Sequence, residues 1–166
     1  MIATKVWTSS PAEGRQQAEH ALQLFGRVEI YQVHNLVNWK AQLKMLEALR
    51  GERKVVTVGA THYDPGAFDD LCDVMRTGRL DMIQVPYNPR RREAERRVFP
   101  LAAELGLGVL VHSPLRNDPR VTRVLSATKT PGRPTENAQA SDPPWFDPDQ
   151  RERLAARLRD QVVSTE

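Results

Sequence analysis

The sequence predicts an α/β fold with mostly parallel strands, built from βα units. Three observations carry this. Short apolar or β-branched runs begin at residues 2, 28, 54, 80, 108 and 121, so the early ones recur every 26 to 28 residues, the period of a βα barrel. The first four gaps between them each hold a helix-length segment with apolar residues at helical spacing. The runs are apolar on both faces, as parallel strands are when right-handed crossovers cover each side of the sheet.

Taken in order, IATKVW from Ile2 is the first strand. Pro11 to Phe25 follows as a helix with Ala18, Ala21, Leu22 and Phe25 on one stripe. VEIYQVH from Val28 is the second strand, and Trp39 to Leu49 lines up Leu43, Leu46 and Leu49. KVVTVGA from Lys54 leads to a helix from Asp64 to Met75, opened by Asp-Pro, a good cap and first-turn pair. LDMIQVPY from Leu80 precedes the helix Val98 to Leu105, closed by Gly106, and GVLVHS from Gly108 is the fifth strand. Only PLRNDPR separates Ser113 from the last run, VTRVLSA from Val121, whereas a parallel crossover takes a dozen residues or more. The sixth run is therefore expected to pair differently, to sit in a partner chain, or not to be a strand. Beyond Ala127 a proline-rich stretch reads as a surface loop, and Asp147-Pro148 caps a final helix, Asp149 to Asp160.

At 166 residues the chain has the length of one domain, well short of the roughly 250 of a complete eight-stranded barrel. The layout is a single domain over 1–166: regular βα units to 113, an irregular connection with the sixth strand and a loop over 114–144, and a C-terminal helix over 145–160. The single cysteine, Cys72, excludes an internal disulfide framework and a cysteine zinc cluster. No apolar run approaches the ~18 residues that span a bilayer, and the N-terminus lacks a leader pattern, so a cytoplasmic protein is expected. The net charge is +3. Its densest stretch, Arg90 to Arg92 with Arg96 and Arg97, is interleaved with Glu93 and Glu95 and free of aromatics. That reads as a solvated helix face with i,i+4 pairs rather than a nucleic-acid surface.

In βα folds, chemistry gathers at the carboxyl ends of strands. The polar residues there are Lys5 and Trp7; His34 and Asn35; Thr61, His62 and Tyr63; Gln84, Tyr87 and Asn88; and His112 and Ser113. A lysine within a strand needs a reason. The histidines come one per strand without a nearby carboxylate, so no metal site is expected.

The blocks ATKVW, VEIYQVHN, KVVTVGATHYD, MIQVPYNP and ELGLGVLVHSPL, with the distal VLSATKTPGRPTEN, resemble the aldo/keto reductases in that order. The resemblance implies a partial (β/α)8 TIM barrel of about six mostly parallel strands and four to five helices. It implies a member cut before ATKVW and again between the last two barrel strands. It places Lys5 and His34 on the lysine and histidine of the family's catalytic tetrad, whose tyrosine and aspartate come from before ATKVW. It puts Gln84 on the residue that holds the nicotinamide carboxamide, Thr61-His62 on a Ser-Asn pair, and His112, with Ser113, beside the ring. It gives Arg133, Glu136 and Asn137 the adenosine end, the arginine suiting the 2′-phosphate of NADP(H).

Three functions follow as expectations. One is an NADP(H)-dependent carbonyl oxidoreductase whose missing acid comes from another residue such as Tyr87, from water, or from a partner chain. Another is a cofactor-independent cyclase, dehydratase, aldolase or isomerase using Lys5 and His34 on a small-molecule substrate. The last is an inactive assembly module. Under all three, exposed parallel edges call for a homodimer.

Overall fold

The computed structural model describes residues 1–88, 91–112, 123–125, 147–150, 152, 153 and 156. Six strands form one sheet in chain order: β1 (Ala3–Val6), β2 (Val28–His34), β3 (Val55–Thr61), β4 (Met82–Pro86), β5 (Gly108–His112) and β6 (Arg123–Leu125). All neighbouring pairs are parallel. Between the first five lie α1 (Pro11–Phe25), α2 (Trp39–Gly51), α3 (Phe68–Arg76) and α4 (Val98–Glu104). This is the α/β architecture of a partial βα barrel.

Local chemistry sets the boundaries. Ser10 caps α1 by accepting from the Glu13 amide at 3.3 Å, Pro11 follows it, and Gly26 ends the helix at φ 71°. Asp64 caps a 3₁₀ turn over Pro65–Ala67 that leads into α3. Asp147 and Gln150 exchange side-chain-to-backbone bonds of 2.7 and 3.0 Å, a capping box for a helical stretch beginning at 148. Leu43, Leu46 and Leu49 are buried as the periodicity predicts. Phe25 is not: at the final position of α1, beside the chain reversal at Gly26, it is 49% exposed.

Two other expectations are corrected. The sixth strand pairs parallel with β5 in the same chain, Leu110 opposite Arg123 and His112 opposite Leu125. Its described residues are Arg123–Leu125. The arginine-rich stretch is not a helix face with i,i+4 pairs. Glu93–Glu95 is a 3₁₀ turn, Arg92 pairs with Glu95 at i,i+3, and Arg97 reaches across to Asp69 on α3.

The sheet has two unlike faces. Val6, Tyr31, Val33, Val58, Ala60, Ile83, Val85, Tyr87, Val109 and Val111 join the helix residues in one hydrophobic core. The other face carries the residues between them, because side chains alternate along a strand. Register places Lys5 beside Gln32, Gln32 beside Gly59, His34 beside Thr61 and Thr61 beside Gln84. His112 lies opposite Pro86, two residues beyond Gln84, so it shares this inner face.

Candidate functional site

Lys5, Gln32, His34, Thr61, Gln84 and His112 therefore occupy one face near the carboxyl ends of five adjacent strands. The loops beyond β1 and β2 are tied together there. Asn38 Nδ2 donates to the Ser9 carbonyl at 2.7 Å, and Gln42 Nε2 to that of Thr8 at 3.0 Å. Directly after His34 the backbone turns left-handed at Asn35 (φ 51°), Leu36 (φ 55°) and Asn38 (φ 45°). Asparagine adopts this conformation readily and leucine does not, so Leu36 holds local strain at the mouth of the site. Trp7, 63% exposed, stands edge-on to His34 with ring centroids 5.6 Å apart, and Gln17 bonds both its amide and its carbonyl. The His62 amide donates to the Gln84 carbonyl at 3.2 Å, joining the ends of β3 and β4.

The electrostatics are cationic. Burial lowers the pKa of Lys5, which makes no ion pair among the described residues. Burial lowers that of His34 most, with Lys5 and His62 adding to it. His112 is lowered by burial, then by Lys5, His34 and Arg91. Near neutral pH both imidazoles are thus uncharged: each can donate one N–H and accept at the other nitrogen. A positive amine beside neutral N–H donors is suited to a carbonyl oxygen gathering negative charge.

Several buried polar atoms lack a partner among the described residues: Gln84 Oε1, Gln32 Nε2, His34 Nδ1 and Asn35 Oδ1. Gln84 is 4% exposed. A buried acceptor of this kind suits a ligand carrying an amide or amine donor. That is the chemistry of a nicotinamide carboxamide, so this position fits such a cofactor. Arg91, with Tyr63, Asp64, Pro65 and Glu93, lines an open pocket of about 320 Å³ at the adjoining rim.

Lys5, His34, Gln84 and His112 are brought together. Tyr87 is not. It lies on the helix-covered face, 1% exposed, its ring 4.9 Å from that of Phe99 and its hydroxyl donating to Glu95 Oε1 at 2.5 Å. Ser113, Arg133, Glu136 and Asn137 lie outside the described residues. Gln32 and Arg91 were missed by sequence reasoning. Gln32 could have been found, being polar within an otherwise apolar run and two residues before His34. Arg91 carried no signal, because its nearness to His112 depends on how the loop after β4 turns. No group of three metal-ligating side chains occurs among the described residues.

A parallel βα sheet with a lysine, a histidine and a glutamine at its carboxyl ends is the architecture of a partial βα barrel. The sequence pattern of the aldo/keto reductase family matches residues 1–158, and the chain belongs to that family. It is 29% identical over 118 residues to an NADH-specific methylglyoxal reductase of Escherichia coli K12, an alignment covering 64% of this chain and 34% of that protein. The chain thus spans about a third of that relative's length. Its fold resembles the holo form of the aldo-keto reductase AKR11C1 from Bacillus halodurans, with a TM-score of 0.73 at 18% identity. That match covers 92% of this chain and 70% of the other. No helix among the described residues is long and apolar enough to cross a membrane.

Proposed function

We propose that the chain supplies the catalytic face of a nicotinamide-dependent oxidoreductase acting on small carbonyl compounds. The observation that carries this is the sharing of one face by Lys5, His34 and Gln84, with Gln84 Oε1 buried and without a partner among the described residues. When bound, the nicotinamide supplies the hydride. Gln84 would hold its carboxamide, with Thr61, His62, His112 and Ser113 around the ring. Arg133, Glu136 and Asn137 would hold the adenosine end, and the arginine favours NADP(H), whereas the Escherichia coli relative is named for NADH.

The substrate oxygen takes a hydrogen bond from neutral His34, and the Lys5 ammonium stabilises the charge that develops on it. Because burial weakens its hold on a proton, Lys5 is also the best-placed acid on this face. Tyr87, turned into the core, is the poorer candidate. The test is carbonyl-dependent consumption of reduced cofactor by the purified chain, expected in the parent and lost in Lys5→Met. Consumption undiminished in that variant contradicts the reading.

The partly buried amine of Lys5, without an ion pair among the described residues, favours one second reading, a cofactor-independent enzyme that joins substrate carbonyls to lysine. Borohydride reduction with substrate would then add a stable mass to Lys5, and the variant would take none. A cytoplasmic location goes with either reading.

Among the described residues β1 has a sheet neighbour on one side only. We infer that a second copy covers its open edge, giving a homodimer of 18.8 kDa chains. Light scattering at the monomer mass would contradict this.

A further inference from the structure

Two buried polar atoms of the inner face lie on the same strand. Gln32 is 1% exposed, and its Nε2 has no hydrogen-bond partner among the described residues. His34 Nδ1 is sealed from solvent in the same way. The two residues stand at i and i+2 on β2, so their side chains leave one face about 7 Å apart. An amide nitrogen only donates. The Nδ1 of a neutral imidazole that carries its proton on Nε2 only accepts. One water oxygen between them satisfies both, taking a bond from Gln32 Nε2 and giving one to His34 Nδ1, as buried waters commonly do.

The packing makes room for this side chain. Gly59 is the register neighbour of Gln32. A Cβ on Gly59 would come within 3.1 Å of Gln32 Cγ and 2.9 Å of Met82 Cγ. The missing side chain at 59 is what lets both stems lie across the layer. An apolar residue would fill the place without burying an amide, so the amide needs a role. The groups acting electrostatically on His34 are Lys5 on β1 and His62 after β3, and His112 on β5 shares the face. None is a carboxylate, the usual partner that selects an imidazole tautomer.

We propose that Gln32 is a positioning residue for His34, acting through one bound water that holds the imidazole as its Nε2–H tautomer, with that N–H left to meet the substrate oxygen. The proposal rests on placing His34 in the site but needs neither cofactor nor turnover, so it fails or stands apart from the oxidoreductase reading.

The experiment is ¹⁵N–¹H NMR of the imidazoles in the cofactor-free full chain at neutral pH, with His34 assigned by the signal lost in His34→Phe. The parent should show His34 as the Nε2–H tautomer alone. Gln32→Met, close in volume but without the amide, should give a tautomer mixture. Gln32→Glu, whose carboxylate only accepts, turns the water round so that its oxygen can accept from Nδ1–H, and the Nε2–H form should no longer stand alone. Two results overturn the proposal. One is an Nδ1–H tautomer in the parent, which would assign that proton to the unpartnered Asn35 Oδ1. The other is an unchanged tautomer in Gln32→Met. If that variant fails to fold, the parent spectrum and Gln32→Glu decide: retention of the Nε2–H tautomer alone with glutamate overturns it, and loss of that single form supports it.

Discussion

The two faces of the one sheet follow opposite rules. On the helix-covered face nearly every residue is apolar, and of its two phenols, Tyr31 and Tyr87, the latter has its hydroxyl on Glu95. On the inner face, five strands present a lysine, two glutamines, a threonine and two histidines, and three of their buried polar atoms lack partners among the described residues. A buried unpaired polar group costs about 1–3 kcal/mol, so the inner face lowers stability where the outer face supplies it. The amino end of the sheet follows the outer rule: Arg50 pairs with Asp81, which also receives the Val58 amide, and Arg79 grips Glu47 with two bonds of 2.8 Å. Among the described residues, four of the five unpartnered buried polar atoms lie on the face that carries the proposed chemistry or directly after it at Asn35, and the fifth, Gln42 Oε1, lies on α2.

Substitutions on the two faces should therefore separate turnover from stability. The largest effect is expected from Lys5→Met and His34→Phe, each lowering kcat at least about a hundredfold, the scale of a lost acid–base or hydrogen-bonding group. Their melting temperatures should hold or rise, because each change removes a polar group from a partly buried site. A large fall in melting temperature would place both residues with the structural face instead. Next is Leu46→Ala on the covered side, expected to lose about 2–5 kcal/mol in denaturant titration while kcat of the folded fraction is retained. Tyr87→Phe should cost about 1 kcal/mol and leave turnover intact. If turnover collapsed in that variant, the phenol would be the missing acid after all, and the distinction between the faces would fail.

The smallest effect is in the pH dependence. His34 and His112 are held below their ordinary value of 6.5, so below that pH the unfolded chain takes up protons that the folded chain refuses. Stability should fall as pH drops from 6.5 through the lowered folded values. Melts at pH 7 and pH 5 should show a smaller loss in His34→Phe than in the parent. An equal loss in both would mean that His34 titrates as it does in the unfolded chain.

Much of this was legible in the sequence, for identifiable reasons. The βα period and the leucine stripe of α2 follow directly from which residues are apolar, and they place Lys5, His34, Gln84 and His112 at strand ends. Phe25 shows where that logic stops, since an apolar residue in the last turn is released by a reversal only one residue away. The parallel pairing of β6 escaped because the few residues between Ser113 and Val121 argue against a crossover, and pairing is a property of the sheet rather than of the local sequence. Tyr87 was grouped with Gln84 by proximity along the chain. The alternation that sends residue 87 to the opposite face from residue 84 was in the sequence but was not applied past the end of the strand. The same alternation, run backwards from His34, finds Gln32. The nearness of Arg91 to His112 arises from a loop path and has no periodic signature.

The most direct test of the inner face as a nicotinamide site is a cofactor titration followed by tryptophan emission, with Trp7 standing beside His34 as the reporter. NADPH and NADH would each be titrated against the parent and against Gln84→Ala. The expected result is a Kd below about 10 μM for one of them, near −7 kcal/mol, weakened about tenfold when Gln84 is truncated. Absence of binding at millimolar cofactor, or binding that Gln84→Ala leaves untouched, would contradict the assignment.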